Sequence, residues 1–100
     1  MEFVYEPALK EYMQKKKKTA VVVEVVTSNC SDFEITELHV HLANEKQADF
    51  FRRKKGFYSR KTAEGEVLLP PWRLEYEETV TFGLKTFLGF SMLTYRGIRV

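Results

Sequence analysis

The chain of 100 residues has one cysteine, three prolines and five glycines. A lone Cys30 allows no internal disulfide and no four-cysteine metal site. With no linker, repeat or low-complexity stretch, nothing marks a domain boundary, and a single domain over 1–100 is expected at a typical domain size of about 100–150 residues. No apolar run approaches the ~18 residues a membrane span needs, so no membrane is expected among the partners. The start, Met1-Glu2-Phe3-Val4-Tyr5-Glu6-Pro7, carries acids where a secretory leader has a basic region followed by an apolar one. These absences together make a cytoplasmic protein the expectation. There is no Gly-rich phosphate loop, no G-x-S-x-G and no carboxylate pair set off by spacing, and catalysis is not expected. Charge of one sign is lacking too. The formal net charge is +2, which argues against a strong nucleic-acid binder.

What is abundant is apolar and aromatic: 44% hydrophobic residues, with eight Phe, five Tyr and one Trp. A chain of this size buries roughly 65% of its unfolded surface. Each buried aromatic removes about 150–250 Å² from water, so an ordered core is expected despite 30% charged residues. The cations are unevenly placed. Lys15, Lys16, Lys17 and Lys18 are consecutive, Arg52-Arg53-Lys54-Lys55 form a second block, and acids gather at Glu75-Tyr76-Glu77-Glu78. Such blocks can neutralise phosphates or meet an acidic protein, and they also end helices and solubilise turns.

Along the chain, Phe3-Val4-Tyr5 reads as a short extended entry, and Pro7 suits the first helical position. Ala8, Leu9, Tyr12 and Met13 lie on one helical face, closed by the lysines at the negative end of the dipole. Val21 to Val26 is β-branched and nearly all apolar, which predicts a central strand covered on both faces. Thr27 to Asp32 reads as a polar turn. From Phe33 the residues alternate. Phe33 and Ile35 fall on one face and Leu38, Val40 and Leu42 on the other, which predicts a bulge near Thr36-Glu37. The segment from Asn44 to Arg60 has two readings. Asn44 with Gln47, then Ala48 and Phe51, basic residues and Gly56, fit helix start and stop rules. Alternatively, Phe50 to Arg53 is a strand, Lys54-Lys55-Gly56 a turn and Phe57 to Arg60 the returning strand. Beyond it, Ala63-Glu64-Gly65 turns into Glu66 to Leu69, Pro70-Pro71 ends that strand, and Trp72 is expected to bury its ring. Thr79 to Phe82 alternates as a strand, Gly83 and Gly89 punctuate short apolar pieces, and Gly97 makes a last bend. Many short strands with one sure helix predict a β-rich α+β domain.

Two constellations could carry chemistry. Glu37, His39 and His41 project from one face of a strand, with neighbours about 7 Å apart, and two imidazoles with a carboxylate suit a divalent metal. With Leu38, Val40 and Leu42 on the core face, the same three residues also read as a solvent face. Cys30 follows a strand in a polar turn, where a thiolate reaches a metal or a partner thiol, or pairs with His39 or His41 as its base.

The order of these features resembles the HesB-like domain of A-type iron–sulfur carriers. A short strand from Glu2 to Tyr5 leads to a helix with Ala8 and Tyr12, then to a buried strand, a turn with Cys30, and Phe33 three residues on. Asp49-Phe50-Phe51 to Gly56-Phe57-Tyr58 is similar to that family's next strand–turn–strand, so the resemblance implies the second reading of that segment. Gly83 to Phe90 and Tyr95 to Ile98 resemble small bacterial HesB-related proteins with a paired-cysteine or selenocysteine motif. The resemblance implies a fold with one N-terminal helix packed on short mixed strands. It also departs from the family: the turn reads Thr27-Ser28-Asn29 where the carriers have glycines, and their C-terminal Cys-x-Cys is absent. Only Cys30 carries over as a ligand to an iron–sulfur cluster, and one thiolate needs a homodimer, a small thiol or another protein to complete a site. The implied role is a non-enzymatic, degenerate iron–sulfur or metal-related scaffold. The alternative is a small interaction module that uses the two basic blocks on an acidic protein or, less favoured, a nucleic acid.

Overall fold

The structure is a computed structural model that describes residues 1–30 and 33–100, with side chains described outside 28–33. Its elements run β1 (Glu2–Tyr5), α1 (Pro7–Lys15), β2 (Ala20–Cys30), β3 (Phe33–Ala43), α2 (Glu45–Arg53), β4 (Tyr58–Thr62), β5 (Gly65–Leu69), β6 (Glu75–Phe87) and β7 (Phe90–Arg99). The class is β-rich α+β with two mixed sheets. One has the order β1-β6-β7, the other β3-β2-β5-β4. Among the described residues no helix is long and apolar enough to cross a membrane.

The valine run explains the layering. Val21, Val22 and Val23 are all fully buried, because β2 sits inside its sheet and is covered on both faces. Val21 and Val23 join Val67 and Leu69 of β5 in the larger core, against Tyr5, Leu9, Met13, Val80, Phe82 and Ile98. The three-stranded sheet and α1 therefore cover this face of the four-stranded sheet. Ala20 and Val22 face the other way, with Ala43, Leu68 and Ala48 of α2. The order is α2, four-stranded sheet, then three-stranded sheet with α1.

Helix α1 begins at Pro7 and buries Leu9 and Met13. Lys17 takes a left-handed φ of 56°, and the Lys18 N–H returns to the Met13 carbonyl at 2.8 Å, which closes the helix as expected of the lysines.

The segment after Asn44 corrects the strand–turn–strand expectation. Residues Glu45–Arg53 are helical, which makes two helices among the described residues in place of one. Asn44 Oδ1 accepts the Gln47 N–H at 2.9 Å, and Gln47 Oε1 accepts the Asn44 N–H at 3.0 Å. This capping box satisfies donors at the helix start that would otherwise need water. Ala48 and Phe51, one turn apart, then lie on the four-stranded sheet.

Further corrections concern the strands, which are longer than expected. β2 continues through Thr27 to Cys30, so the chain does not turn at Thr27, and residues 31 and 32 lie outside those described. β2 and β3 pair in unbroken register from Ala20↔Ala43 to Cys30↔Phe33, with no bulge at Thr36-Glu37. The change of apolar phase has another cause. Leu38, Val40 and Leu42 face the larger core, whereas Ile35 belongs to the opposite face and is exposed. The irregular register lies in β6 instead, between Tyr76 and Thr81. Opposite it stands Gly97 at φ 93°, where a Cβ would come within 2.6 Å of the Thr79 carbonyl oxygen. Gly83 lies within β6 and breaks nothing. Trp72 is 51% exposed, because Leu69 and the buried Pro70 already anchor that loop.

Candidate functional site

Register brings Glu24 of β2 opposite His39 of β3, on the face that carries α2. His41 Nε2 stands 3.1 Å from Glu24 Oε1, and His39 Nε2 stands 3.2 Å from Glu37 Oε2. Glu37, His39 and His41 do share one face, but they divide into two imidazole–carboxylate pairs, one of them completed by a residue 17 positions away. Among the described residues no group of three or more His, Cys, Asp or Glu stands together in a way that could hold a metal ion. The imidazole of His41 also lies against Phe51, with ring centroids 5.6 Å apart, so α2 fixes it from above. Cys30 is the last residue of β2, and its side chain lies outside the described residues.

The two basic blocks end different helices on opposite faces of the four-stranded sheet. Lys15 to Lys18 close α1 and Arg52 to Lys55 close α2. Arg52 is engaged by carboxylates: its Nη2 is 2.8 Å from Glu45 Oε1 and 3.0 Å from Glu66 Oε1, and its Nη1 is 3.3 Å from Asp49 Oδ1. Arg53 Nε reaches Asp49 Oδ1 at 3.0 Å. Lys54 and Lys55 are exposed. Glu66 is a buried charged side chain on β5. Burial pushes its carboxyl up, but the Ser59 hydroxyl, Arg52 and Lys61 together outweigh that and hold it below the ordinary carboxylate value. Its hydrogen bond to Glu45, with help from Glu66 and against burial, holds the Arg52 guanidinium above its ordinary value. These groups tie α2 to the sheet, and this half of the second block serves the fold.

Beside α2, where it crosses the β3 edge, is a groove of about 500 Å³. Leu42, Ala43, Phe50 and Phe51 form its apolar surface, with Lys46, Gln47 and His41 as polar members. Phe50 remains 49% exposed there, and among the described residues Lys46 enters no ion pair. The volume lies within the usual range for ligand sites, about 300–1,000 Å³. No family model matches this chain, nor does any curated protein or solved structure. The groove was not foreseen from the sequence because it needs α2 to be a helix lying against β3. Its local signs were those of the helix itself, the Asn44 and Gln47 pair and the helical spacing of Ala48 and Phe51. Glu24 and Lys46 were likewise missed, since neither stands out until pairing and packing place it.

Proposed function

We propose that this chain is a non-enzymatic interaction module that takes an acidic, partly apolar protein segment in the groove between α2 and β3. The observation that carries this reading is the joining of an apolar groove, lined by the exposed Phe50 with the half-buried Phe51 and Leu42, to the exposed Lys46. Apolar side chains of the partner would leave water in the groove while its carboxylates meet the ammonium. Two further features favour a protein over a nucleic acid. The basic blocks lie on opposite faces of a sheet, and Arg52 and Arg53 are already paired with carboxylates. The test is fluorescence anisotropy with two sets of labelled helical peptides, one with Leu or Phe spaced by Glu, the other with the same apolar residues spaced by Lys. The acidic set binds, and Phe50→Asp weakens it by about tenfold or more. Equal binding of the lysine set, or indifference to both Phe50→Asp and Lys46→Glu, overturns the reading.

A HesB-like scaffold with Cys30 as ligand, completed by a second copy or another protein, is a second reading. What supports it is the order β1, α1, β2 with Cys30 closing β2. Equal uptake of iron and sulfide by the wild type and Cys30→Ser removes it.

A further inference from the structure

The β6–β7 hairpin ends in residues that a turn in water does not favour. Its connection is Leu88-Gly89, both at positive φ, 50° and 83°, between the paired residues Phe87 and Phe90. Two-residue turns of this kind favour Asn-Gly or Asp-Gly, whose first side chain is short, polar and at ease in the left-handed region. Here that position holds Leu88, which is 82% exposed. Phe87, Phe90 and Met92 around it are also exposed, Phe90 to 75%. The residue at the turn is therefore disfavoured by both backbone and hydration, and it stands at the outermost point of an apolar tip. From Thr79 to Tyr95 the only charged residue is Lys85.

Behind this tip stand the lysines that close α1. Tyr12 and Lys18 share a cleft with Leu84, Met92 and Leu93 of the hairpin. Lys16 Nζ lies 5.9 Å from the centre of the Tyr12 ring, which places it on the same side. Among the described residues none of Lys15 to Lys18 nor Lys85 is in an ion pair. The tip is thus apolar, with cations behind it, and the Glu6 carboxylate lies further back, over Gly83 of β6. A second copy would bring like charges together, and a nucleic acid would leave Phe87, Leu88 and Phe90 in water.

We propose that the hairpin docks the protein on an anionic lipid bilayer, with Phe87, Leu88 and Phe90 entering the headgroup–acyl boundary and Lys85 and the Lys15–Lys18 run on the lipid phosphates. The dimensions fit. Lys85 is two residues behind Phe87, about 7 Å along a strand, and interfacial insertion reaches roughly 5–10 Å. The ammonium therefore stays at headgroup level while the tip is buried, and the lysine run adds attraction to anionic lipid. No span of the bilayer is involved. This inference is independent of the groove beside α2.

The test is co-sedimentation of the full chain with phosphatidylcholine vesicles, with and without phosphatidylserine, for the wild type, Leu88→Asn and the double variant Lys16→Glu/Lys18→Glu. Wild type binds the phosphatidylserine vesicles, and the binding falls as salt is raised. Leu88→Asn suits the turn better and keeps or raises the melting temperature, yet loses binding by about tenfold or more. The lysine variant loses the preference for phosphatidylserine. The proposal is overturned if wild type ignores both vesicles, if it binds both equally at every salt, or if Leu88→Asn binds as wild type does. It is overturned as well if the wild type is a dimer in solution that Leu88→Asn converts to a monomer, since the tip would then be an interface between copies.

Discussion

α1 and α2 each run nine residues, and they are secured by different means. At α1 no side chain caps the N-terminus at Glu6, yet Leu9 and Met13 are buried in the larger core. At α2 the capping box is complete, but Ala48 is its one buried residue, and the helix is fastened by Phe51 and by Arg52 reaching Glu66. Helices this short are marginal alone in water, so each needs something from the rest of the chain. α1 obtains it from apolar burial, α2 from hydrogen bonds and an ion pair at the sheet surface. The division also suits the candidate groove. A helix that spends few apolar residues on the core keeps Phe50 for its exposed side.

The comparison is broken most directly at Leu9. Leu9→Ala removes a fully buried side chain and is expected to cost about 2–5 kcal/mol in urea unfolding. A loss well below that range would mean that α1 does not depend on burial. Next comes Arg52→Ala, which leaves the buried Glu66 with Ser59 and Lys61 only, and is expected to cost about 1–3 kcal/mol. The same variant tests the acid side. Glu66 titrates lower in the folded chain than in the unfolded one. Its contribution is therefore complete above the ordinary carboxylate range and is lost as the pH falls through that range towards the folded value. Melting temperatures measured across acid pH should fall less steeply in Arg52→Ala than in the wild type. The smallest effect is at the cap. Asn44→Ala is expected to cost about 1 kcal/mol, with the helical circular dichroism reduced more than the near-ultraviolet signal. An equal loss of both signals would show that α2 and the sheet unfold as one unit.

Residues differ in how far they announced their place. Val21 to Val26 read as a strand covered on both faces, and this holds for Val21 to Val23, whereas Val25 is half-buried and Val26 exposed because β2 runs on beyond the layers that cover it. Leu9 and Met13 were readable as a buried stripe. For Asn44 to Arg60 the local rules allow both a helix started by Asn44 and Gln47 and a strand pair about Lys54-Lys55-Gly56, and the likeness at apolar positions, which any packed segment supplies, favours the strands that the structure overturns. The apparent phase slip in β3 misled for a related reason. Ile35 does lie on the face opposite Leu38, but it is exposed there, so the alternation needs no bulge to bring it to the core. Of the candidate sites, the shared face of Glu37, His39 and His41 followed from strand alternation, but the Glu24 partner of His41 did not, since only hairpin register reveals it.

By itself, then, the sequence determined the local events: where α1 starts and stops, the capped start of α2, the buried middle of β2 and the alternation along β3. These depend on backbone sterics and hydrogen bonds within a few residues. The tertiary structure alone decided that β1 pairs in parallel with β6, that the two helices cover opposite faces of one sheet, and that Leu42, Phe50 and Phe51 line one groove. Burial of apolar area has no direction and many strands satisfy it equally, so the choice among partners is made only when all the layers close together.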